Sequence, residues 1–236
     1  MSDFKKTGII WQESKISRKE RVLEVCDALE QGYGRPRLGN PTDPLDDLVY
    51  IIISNRTSPT VASRTYHALK DTYADWEHVL LNGNSGLSSI LKPSGLSVVK
   101  SRQIFSALKK IKSDFGKCSL ASLHGEPKEV ALEYLVSLPG ASDKVAKCVM
   151  LYTLGADVLP VDAHVHRIAR RLGWTSRKRA DQSHEELEAL VPPRYRYALH
   201  VGCVLHGRKV CRPKNPRCGS CCIKDRCHYY QELNTP

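Results

Sequence analysis

The chain has 236 residues, 41% hydrophobic and 26% charged, enough for one large domain or two small ones with a proper core. It contains no Pro/Gly-dominated tract, no repeat and no apolar run near the ~20 residues of a membrane helix, and Met1-Ser2-Asp3-Phe4-Lys5-Lys6 lacks the apolar stretch of a signal peptide. The net charge of +11 points to a polyanionic partner, nucleic acid foremost, and the expected intracellular setting keeps thiols reduced, so nine cysteines need a reason other than disulfides.

Along the chain the pattern is helical. Val22, Leu23, Val25, Cys26 and Leu29 make a helical stripe over 18–31, and a Gly/Pro-rich linker follows over 32–41. Asp43 caps and Pro44 opens a helix to residue 53, and Pro59 opens another to 73. Short helices are predicted over 76–81 and 87–91. The stretch 98–114 is amphipathic, with Ile104, Leu108 and Ile111 in register. Helices over 128–137, 143–154, 162–172, 184–190 and 194–206 complete the series, and only 157–161 reads as extended. Short helices without strand alternation give an all-α class. The last stretch, 207–236, is basic, loop-like and too poor in apolar residues to fold without a staple.

The cysteines suggest that staple. Cys26, Cys118 and Cys148 sit among apolar neighbours and read as small core residues, whereas six cysteines fall between Cys203 and Cys227. Four of them stand as Cys211-x6-Cys218-x2-Cys221-x5-Cys227. A four-cysteine zinc site usually uses two Cys-x2-Cys pairs, and only one is present, so the longer arcs suit a larger object. Spacing alone leaves an iron–sulfur cluster and zinc both open. Cys222 is a spare neighbour of Cys221, and Cys203, on the preceding helix, is expected to pack rather than ligate.

A second signal is Leu138-Pro139-Gly140-Ala141-Ser142-Asp143-Lys144. A helix ends, a Pro-Gly turn follows, and free amides at the start of the next helix form a natural phosphate site. An ordinary helical hairpin fits the same pattern. Lys144 lies in the first turn, where the positive end of the helix dipole opposes an ammonium. Eighteen residues later Asp162 begins another helix, so two helix N-termini could converge with an amine facing a carboxylate. Taken singly, Asp162 is equally well an N-cap, and Lys144 a solvated helix lysine.

Together, Leu138-Pro139-Gly140…Lys144, Val161-Asp162-Ala163-His164 and Leu205-His206-Gly207-Arg208 ahead of the cysteine run resemble the endonuclease III family of helix–hairpin–helix DNA glycosylases, over 44–227. The resemblance implies two helical domains flanking a DNA-binding cleft. One is a six-helix barrel over 36–145 ending in the hairpin. The other joins 1–35 to 146–236 and holds a 4Fe–4S cluster on Cys211, Cys218, Cys221 and Cys227. The implied activity is removal of a damaged pyrimidine from double-stranded DNA followed by a strand nick at the abasic site, by a monomeric chain in the cytoplasm or nucleoid. Lys144 matches the lysine that attacks C1′, and Asp162 the carboxylate that stabilises charge on the sugar. Leu96 matches the wedge that enters the base stack. Gly140, Ser142 and His164 fall in the DNA-contacting motifs, and Lys214 and Arg217 on the loop that meets phosphate.

This chain also departs from the family. The hairpin, usually Gly-x-Gly, is Gly140-Ala141-Ser142, so Ser142 is expected in a backbone conformation normally given to glycine. Arg56 and Pro59 replace a glutamine and an aspartate near the extruded base, and Arg56 is expected to contact DNA. A secondary likeness, in 151–154 and 165–174, is to the plant 5-methylcytosine DNA glycosylases. Two alternatives stand beside the leading one: a monofunctional mismatch or modified-cytosine glycosylase using water as nucleophile, and a DNA-binding module without catalysis. The first is disfavoured by Lys144, and the second by retention of both Lys144 and Asp162.

Overall fold

The computed structural model describes residues 17–233. The expectation on Met1–Lys6 and the outer ends of the 1–35 and 146–236 segments lie outside the described residues. Among these, eleven α-helices and no strand are present: α1 (Arg18–Tyr33), α2 (Pro44–Ser54), α3 (Pro59–Thr72), α4 (Trp76–Leu91), α5 (Ser97–Phe115), α6 (Lys128–Val136), α7 (Asp143–Tyr152), α8 (Ala163–Arg171), α9 (His184–Leu190), α10 (Pro193–Lys209) and α11 (His228–Leu233).

The starts follow from local chemistry. Ser17 and Glu20 close a reciprocal capping box on α1. Asp43 accepts from the Leu45 and Asp46 amides ahead of Pro44, and the Ser58 hydroxyl accepts from the Val61 amide around Pro59. The two short helices predicted over 76–91 are joined in α4, which bends at Gly83, whose φ of 77° no helix accommodates. The tail departs from its loop-like expectation. α10 runs on to Lys209, and residues 228–233 form a further helix, with the Arg171 guanidinium 4.6 Å above the Tyr229 ring.

Two hydrophobic cores result. The first is built from α2 to α7, around residues such as Leu48, Ile52, Leu69, Leu87, Leu108 and Val149. The second gathers α1 with α8, α9 and α10, around Leu29, Leu159, Ile168, Trp174 and Leu199, and takes in Ile223 and Cys227 from the tail. The chain thus starts in the second core, builds the first, and returns. It returns along the extended 157–161 segment, in which Val158 belongs to the first core and Leu159 and Val161 to the second. Close approach of α8 and α10 requires a glycine. A Cβ on Gly207 would fall 2.5 Å from His164 Nδ1, and the Arg167 guanidinium donates to the carbonyls of Gly207 and Cys211 across the same contact. Among the described residues no helix is long and apolar enough to cross a membrane.

Candidate active site

A cleft of about 800 Å³ opens between the two cores, walled by parts of α2, α7, α8 and α10, the start of α3 and the 38–40 segment. Its walls are helical stripes. Lys144, Cys148 and Tyr152 recur every four residues on α7, and His200, Val204 and Arg208 do so on α10. Asp162 and His166 stand one turn apart beside them.

The turn ahead of α7 explains its sequence. Gly140 has φ 87°, and a Cβ there would lie 2.8 Å from the Cβ of Gln103 on α5. A side chain is therefore disfavoured both by backbone strain and by contact. Ser142 corrects the expectation made of it. Its φ of −69° and ψ of 167° are ordinary extended backbone, and it serves as N-cap position of α7 without a side-chain cap bond. The left-handed residue is Gly140 alone, so serine in place of the family's second glycine is not strained. Its exposed side chain stands beside the amide end of the helix.

Lys144 follows in the first turn, half-buried and lining the cleft. Nearby carboxylates are engaged elsewhere: Asp143 with His184 and Lys147, Glu188 with Lys147 and Arg196. Asp162 is both things that the sequence allowed. It is the N-cap of α8, its Oδ1 accepting from the amides of His164 and Val165 at 2.8 Å each, and it lines the cleft with Lys144. Burial pushes its carboxyl upward. Its interactions with His200, the Val165 amide, His164 and Lys144 outweigh this and hold it below the usual carboxylate range. It is therefore ionised at neutral pH.

His200 was not singled out by sequence. It is 2% exposed, its Nδ1 lies 2.9 Å from the Pro160 carbonyl, and burial lowers its pKa below the usual imidazole value. The neutral ring donates from Nδ1 and presents Nε2 as an acceptor. His164 lines the cleft half-buried. The Arg167 guanidinium donates to its Nδ1 at 3.1 Å, so Nε2 carries the proton.

The remaining candidates are spread around the cleft. Arg56 lines it, exposed, with a left-handed φ of 55°, whereas Leu96 stands outside the lining, 54% exposed, with φ 52°. Lys214 and Arg217 are exposed on the loop between the first two cysteines of the run and do not line the cleft. That loop is tied by Arg212 to the Asn215 carbonyl and by the Arg217 amide to the Val210 carbonyl.

Cys211, Cys218, Cys221 and Cys227 surround one hollow, otherwise lined by Ile168, Leu172, Ile223 and neighbouring side chains. Among the described residues no three His, Cys, Asp or Glu side chains close in as they would around a single ion. Arg171 donates to Cys211 Sγ at 3.1 Å, and His206, whose Nδ1 meets the Tyr33 hydroxyl at 2.8 Å, places Nε2 3.3 Å from Cys221 Sγ. Burial pushes the Cys221 thiol up to about 12, so only a bound metal would hold it as a thiolate. Cys203 is buried, as expected, Cys222 is exposed, and Cys118 is half-buried rather than fully in the core.

Comparison with known proteins adds to this geometry. Residues 49–193 match the family model described as HhH-GPD superfamily base excision DNA repair protein. Endonuclease III of Thermotoga maritima is 29% identical over 83% of this chain and 88% of that protein. Endonuclease III of Rickettsia conorii is 30% identical over 79% of this chain and 84% of that protein. The fold superposes on a solved non-covalent endonuclease III–DNA complex with a TM-score of 0.78, at 20% identity, covering 91% of this chain and 97% of that one.

Proposed function

This chain belongs to the endonuclease III family within the HhH-GPD superfamily of base excision DNA repair proteins, and on that premise we propose that its cleft receives an extruded nucleotide, with Lys144 as nucleophile and Asp162 as its electrostatic partner. The chain is a DNA glycosylase and AP lyase, and its substrate class in this reading is double-stranded DNA with a damaged pyrimidine or an abasic site. One observation carries the assignment of residues: a lysine and a carboxylate from the starts of two different helices line a single cleft between two cores.

The chemistry follows from those positions. The lone pair of Lys144 Nζ forms a bond to C1′ as the glycosidic bond breaks, and the base leaves with the electron pair and takes up a proton. Asp162, ionised, stabilises the positive charge that develops on the sugar. Opening of the sugar ring gives an imine. Loss of a C2′ proton then expels the 3′ phosphate, which nicks the strand. His200, almost fully buried, and Tyr152 line the same cleft as Lys144 and Asp162. The amide end of α7, with Gly140 and Ser142 ahead of it, His164, Arg56 and Leu96, and Lys214 and Arg217 on the tail loop, would meet the DNA around the lesion.

The test uses a duplex with one abasic site. We expect a covalent protein–DNA complex in borohydride, and without it a nick carrying an unsaturated aldehyde at the 3′ end. A monofunctional enzyme would release bases from damaged DNA with neither product, and a DNA-binding module would bind without reaction.

The tail belongs to the same reading. Four thiols spread around an apolar hollow suit a 4Fe–4S cluster, whose iron corners lie apart, better than one zinc ion. When bound, the cluster supplies four iron–thiolate bonds that staple a segment with few apolar residues of its own. Protein purified without oxygen should contain roughly four iron and four sulfide per chain. Cys218→Ser should lose iron and expose the tail to proteolysis. Stoichiometric zinc without sulfide would contradict the assignment. The division into a barrel over 36–145 and a cluster domain of 1–35 with 146–236 is part of this proposal. Two separate cores support two units, and because α7 and Val158 pack into the first, the return to the second falls at about 158 rather than 145. An intracellular placement, where thiols stay reduced, goes with it.

A further inference from the structure

Lys100 has no place in the chemistry above, yet its surroundings are unusual. It lies on the first turn of α5, 3% exposed, and its ammonium makes three hydrogen bonds. These run to the Ile53 carbonyl at 2.7 Å, the Thr57 hydroxyl at 2.8 Å and the Ser94 carbonyl at 2.8 Å. The Thr57 hydroxyl in turn donates to the same Ser94 carbonyl at 2.7 Å. All three donors of the ammonium are therefore used, and none meets a carboxylate. Burial lowers the pKa of this amine, so the charge is held here at a cost.

What the ammonium joins is informative. Ile53 lies in the last turn of α2, and Thr57 follows Arg56. Ser94 leads through Gly95 into Leu96, whose own carbonyl accepts from the Lys100 amide at 2.9 Å. Three non-glycine residues have positive φ among the described residues, and two of them, Arg56 and Leu96, flank this one lysine. Such strained backbone persists only where the surroundings over-determine it. Both side chains are exposed, presented outward from a backbone fastened beneath them. An apolar residue at 100 could fill the space but could not tether three acceptors from two loops.

We propose that Lys100 is a positioning residue that locks the Arg56 loop to the Leu96 loop, so that the two side chains enter the duplex as one preorganised unit. The proposal rests on the reading that these loops meet DNA around an extruded base.

The experiment compares Arg56→Ala and Leu96→Ala in the wild-type background and in Lys100→Met. The readouts are single-turnover cleavage of a damaged duplex and the emission of 2-aminopurine placed opposite an abasic site. In the wild type each alanine should reduce cleavage about tenfold, whereas in Lys100→Met each should cost under about threefold, since the loops no longer act in register. Lys100→Met should also lower the emission change by about as much as the Arg56→Ala, Leu96→Ala double variant does. Thr57→Val, which removes one of the three bonds, should move both readouts the same way by a smaller factor, and it serves as the test should Lys100→Met fold poorly. Equal losses from each alanine in all backgrounds would overturn the role of Lys100 while leaving the cleft assignment intact. A wild-type protein that neither cleaves nor alters the emission would remove the cleft reading and this proposal with it.

Discussion

Asp162→Asn should lower the rate of base removal by at least about 100-fold, the scale of losing one preorganised charge-stabilising group, while leaving the protein fully folded. In the proposed reading Asp162 has two jobs that this substitution separates. As N-cap it takes two amides on Oδ1, and asparagine caps as well as aspartate. As an ionised group in the cleft it faces the developing charge, and a neutral amide cannot replace that. Asp162→Ala should lose as much activity and, in addition, about 1 kcal/mol of stability from the missing cap. Because its neighbours hold the carboxyl below the usual range, acid should not inactivate the wild type through Asp162 until well below neutrality. Single-turnover kinetics with thermal melts of both variants checks the pair. An Asp162→Asn enzyme within tenfold of wild type would reduce Asp162 to a cap.

Asp47→Asn should stabilise the protein at pH 8 and hardly change it at pH 4. Asp47 lies on α2 with no exposed surface, its carboxylate bonded by the Asn40 amide at 2.6 Å and its second oxygen without a partner among the described residues. Burial pushes its pKa up to about 7, and the Asn40 bond and the charges of Lys144 and Arg37 offset this only in part. The folded chain thus keeps this proton up to about pH 7, whereas the unfolded chain loses it near pH 4. Below pH 4 both states are protonated and the residue costs nothing in linkage. Stability then falls as pH rises between these limits, by a few kcal/mol in all. A neutral asparagine escapes that loss, so its advantage should grow across pH 4 to 7 and level off above. Chemical denaturation at pH 4, 6 and 8 measures it, and identical differences at all three would show that Asp47 is not held neutral by burial.

Much of this was legible in the residues. The Asp43 cap with Pro44, and Pro59 at the next start, placed two helix starts to the residue, because these signals are local. The Pro-Gly turn, Lys144 and Asp162 were readable for the same reason. The apolar register of α5, continued one turn back from Ile104, falls on Lys100, so even its burial had a signal. Other features depend on which faces meet. The stripe of Lys144, Cys148 and Tyr152 and that of His200, Val204 and Arg208 are visible in spacing, but only the tertiary fold turns both toward one cleft. Asp46 and Asp47 read alike in a first turn that favours acids, and packing buries one of them completely. The left-handed backbone of Arg56 and Leu96 could not be read, since neither residue type favours it. Ser142 was misjudged because the family's second glycine was assumed to need positive φ, which the turn assigns to Gly140 alone.

The most direct measurement is to map the adduct itself. Wild-type protein trapped on abasic DNA with borohydride, digested with nuclease and protease, should yield one modified peptide, with the reduced sugar fragment on the Nζ of Lys144, and Lys144→Gln should give no trapped complex. A modification at any other amine, or trapping undiminished in Lys144→Gln, would contradict the account.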